Sequence, residues 1–212
     1  MVEGATERRL IPELMEHNGV NWVVAPNQYA VRIEDYGGFE KMMEPHELET
    51  VLKISGIKAI GILFYADELH NGLSARWRTV AARLKSIGVE PPASLPVGGF
   101  ISQHQSGAKI GAWMMPDNQS RGMLETFLMQ LVPSGQPFSA VYAHAVKATD
   151  EASGLGAPFK AVHRDKAIIY NWLAWQDAPG AQLHEAVKHK VLDPNSASVG
   201  PFVQWFRSLF DV

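Results

Sequence analysis

A chain of 212 residues, 46% of them hydrophobic, is long enough to bury a substantial core and suits one large domain or a domain with a helical appendage. Its formal charge of −3 is unlike that of a general nucleic-acid coat and leaves room only for a local basic surface. Disulfides and thiolate metal centres are excluded because cysteine is absent, and the lack of both a ~18-residue apolar run and a leader-like N-terminus predicts a cytoplasmic protein with no membrane partner.

In chain order, Leu10, Ile11, Leu14 and Met15 form a helical stripe that ends at Gly19, with Pro12 near its first turn. Asn21 to Ile33 reads as a strand. Pro45 is placed as the first residue of a helix carrying Leu48, Val51 and Leu52 and closed by Gly56. Ile57 to Phe64 is almost continuously apolar, the pattern of a strand covered on both faces. Ser74 caps a helix with Trp77, Val80, Ala81 and Leu84 on one face, stopped by Gly88. GGFISQH and KIGAWMM flank Gln105 to Ala108 as the arms of a hairpin, and Ser120 is expected to cap MLETFLMQLV. Beyond Pro137 only helical patterns remain, including His163 to Trp175 and Phe202 to Phe210. These elements predict an α/β fold, with residues 1–132 forming an α/β core and residues 133–212 a helical extension packed on it.

Acidic residues follow three predicted strands: Glu3 after Met1-Val2, Asp67 with Glu68 after Ile57 to Phe64, and Asp117 after the WMMP arm. At the carboxyl ends of neighbouring strands in an open sheet, such side chains converge on a crevice and can hold a hard cation. The expectation is therefore that Glu3, Asp67 and Asp117 lie close together. Arg8, Arg9, Arg76, Arg78, Lys160, Arg164 and Lys166 supply enough positive charge for a phosphate-binding rim, and equally for ordinary helix surfaces. Trp172 and Trp175 stand at helical spacing and read as core rather than as base-stacking platforms. The histidines form no zinc-binding array, and GLGAP lacks the Lys-Ser/Thr of a phosphate loop.

VEGATE, the strand leading into YADE, WMMPDNQSRGMLE, HRDKAIIYNWLAWQDAPG and FVQWFRSLF together resemble a bacterial Toprim-related family of unknown function, related to the Toprim domain of overcoming-lysogenization-defect nucleases. The resemblance covers nearly the whole chain. It implies a mostly parallel sheet flanked by helices, and Mg2+ or Mn2+ held for phosphodiester cleavage of nucleic acid, with a role in phage defence. By this resemblance Glu3, Asp67 and Lys166 are catalytic candidates, and Glu3, Glu7, Asp67, Glu68, Asp117 and Glu125 are metal-ligand candidates. Tyr65 stands where the family pattern has the first aspartate of Asp-x-Asp, and a neutral phenol is a poor magnesium ligand. Only two residues precede Glu3, so either the first strand is a stub or the start codon lies further upstream. The alternative implied by Tyr65 is a catalytically degenerate interaction or regulatory subunit that works with an ATPase partner.

Overall fold

The structure, a computed structural model, describes residues 1–67, 69–70 and 73–212. Helix α1 (Ala5–His17) buries Leu10, Ile11, Leu14 and Met15, the stripe read from the sequence. The predicted strand over Asn21 to Ile33 is instead a small hairpin, β1 (Val23–Ala25) and β2 (Gln28–Tyr29). Its side chains are mostly exposed, so no core face holds a longer strand straight. Two short helices follow, α2 (Phe39–Met42) and α3 (Glu47–Leu52). The second starts two residues after Pro45, with His46 in a left-handed conformation at its N-cap.

Strand β3 (Ala59–Tyr65) is buried along most of its length. A two-residue pair, β4 (Leu69–His70) and β5 (Leu73–Ser74), leads into α4 (Ala75–Ser86). There Ser74 caps as expected, its Oγ accepting from the N–H of Arg76 at 3.2 Å and of Trp77 at 3.4 Å. Strands β6 (Phe100–Gln103) and β7 (Lys109–Met115) make the predicted hairpin. Helices α5 (Leu124–Met129), α6 (Phe138–Gly154), α7 (Arg164–Ala174), α8 (Leu183–Lys188) and α9 (Gly200–Phe210) complete the chain.

The main sheet runs β3-β7-β6, with β3 parallel to β7 and β6 antiparallel to it. This corrects the expectation of a mostly parallel sheet: the tight loop between β6 and β7 permits only an antiparallel neighbour. Val2 adds single parallel bridges to Leu63 on one side and Asp35 on the other. A short connection therefore runs from the segment around residue 35, through Val2, to β3.

Alternation along the strands assigns side chains to two cores. Ile60, Ile62, Phe64, Ile110, Ala112 and Met114 face α2, α3 and α4, whereas Leu63, Trp113 and Met115 face α1, α5, α7, α8 and α9. Both faces are covered, which is why the β3 sequence shows no polar face. Gly61 and Gly111 are direct neighbours across β3 and β7, and α9 lies against them. A Cβ on Gly111 would stand 2.8 Å from Leu209 Cδ2 and 3.1 Å from the Phe100 carbonyl oxygen, so a larger residue crowds the Leu209 side chain where α9 meets the sheet. Gly111→Ala is expected to cost about 1–3 kcal/mol by overpacking, read as a lower urea midpoint at unchanged slope. Among the described residues, no helix is long and apolar enough to cross a membrane.

Candidate functional site: an acidic centre closed by arginine

Glu3 leaves the sheet directly after Val2 and is 7% exposed. Its Oε1 accepts from the backbone N–H of Tyr65 at 2.8 Å, tying it to the end of β3. Asp67 lies two residues beyond that strand, in a left-handed conformation with φ of 50°. Its backbone N–H donates to the Gly122 carbonyl at 3.0 Å, and its carbonyl accepts from the Gly122 N–H at 3.1 Å. The loop after β3 is thus pinned to the loop after β7. Gly122 has φ of 137°, and a Cβ there would collide with Thr126, so both conformation and space call for glycine.

The group that joins the two acids is Arg76. The Ser74 cap sets it in the first turn of α4, where its Nη1 donates to Glu3 Oε1 at 2.7 Å and Oε2 at 3.0 Å. Its Nη2 stands 2.7 Å from Asp67 Oδ2, and its guanidinium carbon lies 4.7 Å from the centre of the Phe39 ring. A single planar cation thereby joins the Glu3 and Asp67 carboxylates, a geometry suited to guanidinium. Burial raises the Glu3 pKa to about 7; Arg76 works against that rise, and the Asp67 charge adds to it.

Glu7 sits in the first turn of α1, 1% exposed, and neither carboxylate oxygen makes a hydrogen bond of good geometry among the described residues. Burial lifts its pKa to about 8; the nearby N–H groups of Glu7 and Gly4 lower it by less, while Glu3 and Glu125 raise it further. A neutral carboxylic acid is the form that this apolar position favours. Glu125, 6% exposed in the first turn of α5, meets Lys166 of α7, with Oε1 3.1 Å from Nζ. Burial works against the Lys166 charge, but the attraction of Glu125, reinforced by Tyr170 and Glu7, leaves its pKa above the ordinary lysine value.

Asp117 serves its own turn: Oδ1 accepts from the N–H of Gln119 at 3.0 Å and of Ser120 at 2.6 Å, and Oδ2 from the Ser120 hydroxyl at 2.8 Å. Ser120 consequently does not cap a helix, and α5 begins after Met123. Glu68 lies outside the described residues. Of the basic residues expected to rim the site, Arg76 and Lys166 meet its acids, whereas Arg8 pairs with Asp35 at 2.8 Å and Arg164 with Asp150 at 2.7 Å. Trp172 is fully buried, as expected of core, whereas Trp175 is exposed with its ring 5.3 Å from His144.

Among the described residues, no group of three or more His, Cys, Asp or Glu side chains is placed to hold a metal ion. This overturns the expected Mg2+ or Mn2+ site, and with it the metal-dependent phosphodiesterase or nuclease of phage defence. The physical reason lies in the pairings: Arg76 joins Glu3 to Asp67, Lys166 takes Glu125, and Asp117 is spent on its turn. Arg76 was visible in the sequence only as one of several basic residues. The signal that could have singled it out is the Ser74 cap, which places it in the first helical turn after the strand-end aspartate.

The chain is thus an α/β protein with a mixed sheet whose strand ends carry an arginine-closed acidic centre. Residues 1–211 match the family described as Protein of unknown function (DUF3226), and the chain belongs to that family. No curated protein and no solved structure matches it.

Proposed function

We propose that the protein is a catalytically degenerate, Toprim-like interaction or regulatory subunit that works with an ATPase partner. The observation that carries this reading is the Arg76 clasp. Glu3 and Asp67 keep the strand-end positions that the Toprim resemblance implies, yet their charge is answered by a side chain of the protein itself. Tyr65 supports the same reading, since its neutral side chain stands where a further carboxylate belongs and packs against the larger core. In this proposal Glu3, Asp67 and Lys166 hold strand and helix ends together instead of acting on a substrate, and the helices beyond Val132 form an extension of the sheet-bearing core. The ATPase comes from the family resemblance, as a fold-level analogy.

The experiment is a calorimetric titration of Mg2+ onto the wild type and Asp67→Ala. Neither protein is expected to give saturable heat up to about 10 mM, far above the affinity of a functional carboxylate site. Saturable binding to the wild type that is lost in Asp67→Ala would overturn the reading. For the partner, the expected result is an ATPase that stays with the chain through gel filtration and changes its hydrolysis rate when the chain is added.

A further inference from the structure

At 17 residues α6 is the longest helix among the described residues, yet it buries only Ala145 and Thr149. The 11 residues of α9 bury Phe202, Val203, Trp205, Phe206 and Leu209. Helices in proteins draw most of their stability from the face they bury, so α6 is held weakly for its length. It packs mainly on α7, with Val141, Tyr142 and Val146 half-buried against the larger core. Exposed chain flanks it on both sides, Ser134 to Pro137 before it and Leu155 with Gly156 after it. Gly135 and Gly156 both have φ of 94°, with no atom within 4 Å of where a Cβ would stand, so both connections run in open solvent at these points.

The contacts between α6 and α7 are largely polar. Arg164 donates from Nε and Nη2 to Asp150 at 2.7 and 2.8 Å, Asn171 Nδ2 donates to Thr149 Oγ1 at 2.9 Å, and the Trp175 ring lies 5.3 Å from that of His144. Arg164, Ile168, Asn171 and Trp175 stand at helical spacing, so they form one stripe of α7 beneath α6. The Arg164 pair is exposed and contributes little, as surface ion pairs do. Helix α7 is anchored differently. It buries Ile168, Ile169, Trp172 and Leu173, Lys166 meets Glu125 of α5, and Thr126 Oγ1 donates to Asp165 at 2.7 Å.

We infer that α6 is a strap that undocks from α7 as a unit while the sheet, α7 and α9 stay folded. Its free length is close to the ~12–15 residues at which even alanine-rich helices are marginal in water, so the undocked segment frays. Undocking uncovers the α7 stripe from the Arg164 guanidinium to the Trp175 indole, and re-docking covers it again. This conformational device goes beyond the regulatory reading above, because it uses neither Arg76 nor the acidic centre and stands if that reading fails.

Native-state hydrogen exchange of the full-length protein, read by mass spectrometry in low concentrations of urea, tests this. The amides of α6 are expected to be protected at least about tenfold less than those of α7, α9 and β7, with little dependence on urea, the mark of a local opening. Thr149→Val takes the hydroxyl from Asn171 at similar volume, and should speed exchange in α6 about tenfold while β7 and α9 keep their wild-type rates. Asp150→Asn, on the surface, should do the same by about two- to fivefold, and it decides the matter if circular dichroism shows that Thr149→Val does not fold. Equal protection of α6 and α7, lost with the same urea slope, would show that the helix opens only when the whole protein unfolds and would overturn the inference. So would faster exchange spread evenly over the chain in Asp150→Asn.

Discussion

Arg76→Ala is expected to destabilise the fold by about 3 kcal/mol at pH 8, because it leaves the buried Glu3 carboxylate and its Asp67 neighbour without their shared cation. The loss should shrink as pH falls. With Arg76 present, Glu3 titrates near 7 against an ordinary value of 4.5, so the folded state already holds more protons than the unfolded state between those values. Stability in that window therefore declines as pH rises. Removing Arg76 takes away a group that lowers this pKa, so the declining window extends to higher pH, whereas near pH 4 a protonated Glu3 has little need of the guanidinium. Denaturant melts of wild type and variant at pH 5 and pH 8 measure the difference. Arg76→Lys should recover only part of it, since an ammonium cannot present a planar fork to two carboxylates. The double variant Glu3→Gln with Arg76→Met should recover most of the loss, because it removes the buried Glu3 charge together with the cation, while the partly exposed Asp67 still loses its contact with Arg76. An Arg76→Ala protein as stable as wild type at pH 8 would show that the clasp holds nothing together.

Glu7→Gln is expected to act in the opposite direction. The folded-state pKa of Glu7 is about 8 against 4.5, so folding retains a proton across that interval and stability falls with rising pH throughout it, at up to ~1.36 kcal/mol per unit. Below 4.5 both states are protonated and the group contributes no slope. The neutral amide should therefore raise stability at pH 8 by about 2–4 kcal/mol, less what its unpaired N–H groups cost, and change it little at pH 4. The Met1 amine opposes this trend between pH 6 and 8, since burial lowers its pKa from 8.0 to about 6 and the folded state there holds fewer protons. Comparing variant with wild type cancels that contribution. Thermal melts of both proteins from pH 4 to pH 9 provide the check, and parallel curves would show that Glu7 is not a buried acid.

Much of the fold was legible because local chemistry and burial agree. The β3 run is apolar on both faces since it is covered on both faces, and Ser74 caps α4 because its hydroxyl is placed to receive two orphan N–H groups. The β1 and β2 region misled, since Val23, Val24 and Tyr29 have the composition of a strand while lying exposed. Composition alone cannot separate a buried strand from a solvent-facing hairpin. The direction of β6 was implicit in its loop, which is too short for a parallel crossover.

The acidic centre divides the same way. By itself the sequence determined that Asp67 follows an apolar strand, that Glu3 stands directly after Met1-Val2, and that Tyr65 carries no carboxylate. Only the tertiary structure decided what those acids meet. Glu3 and Arg76 are separated by 73 positions, and Glu125 and Lys166 lie on different helices, so no periodicity or spacing reports their contact. Asp117 and Asp67 look alike as strand-end aspartates, yet one closes its own turn and the other is pinned to Gly122 and paired with Arg76. An acid's role depends on the charges within a few ångströms of it, and packing between distant segments sets those neighbours.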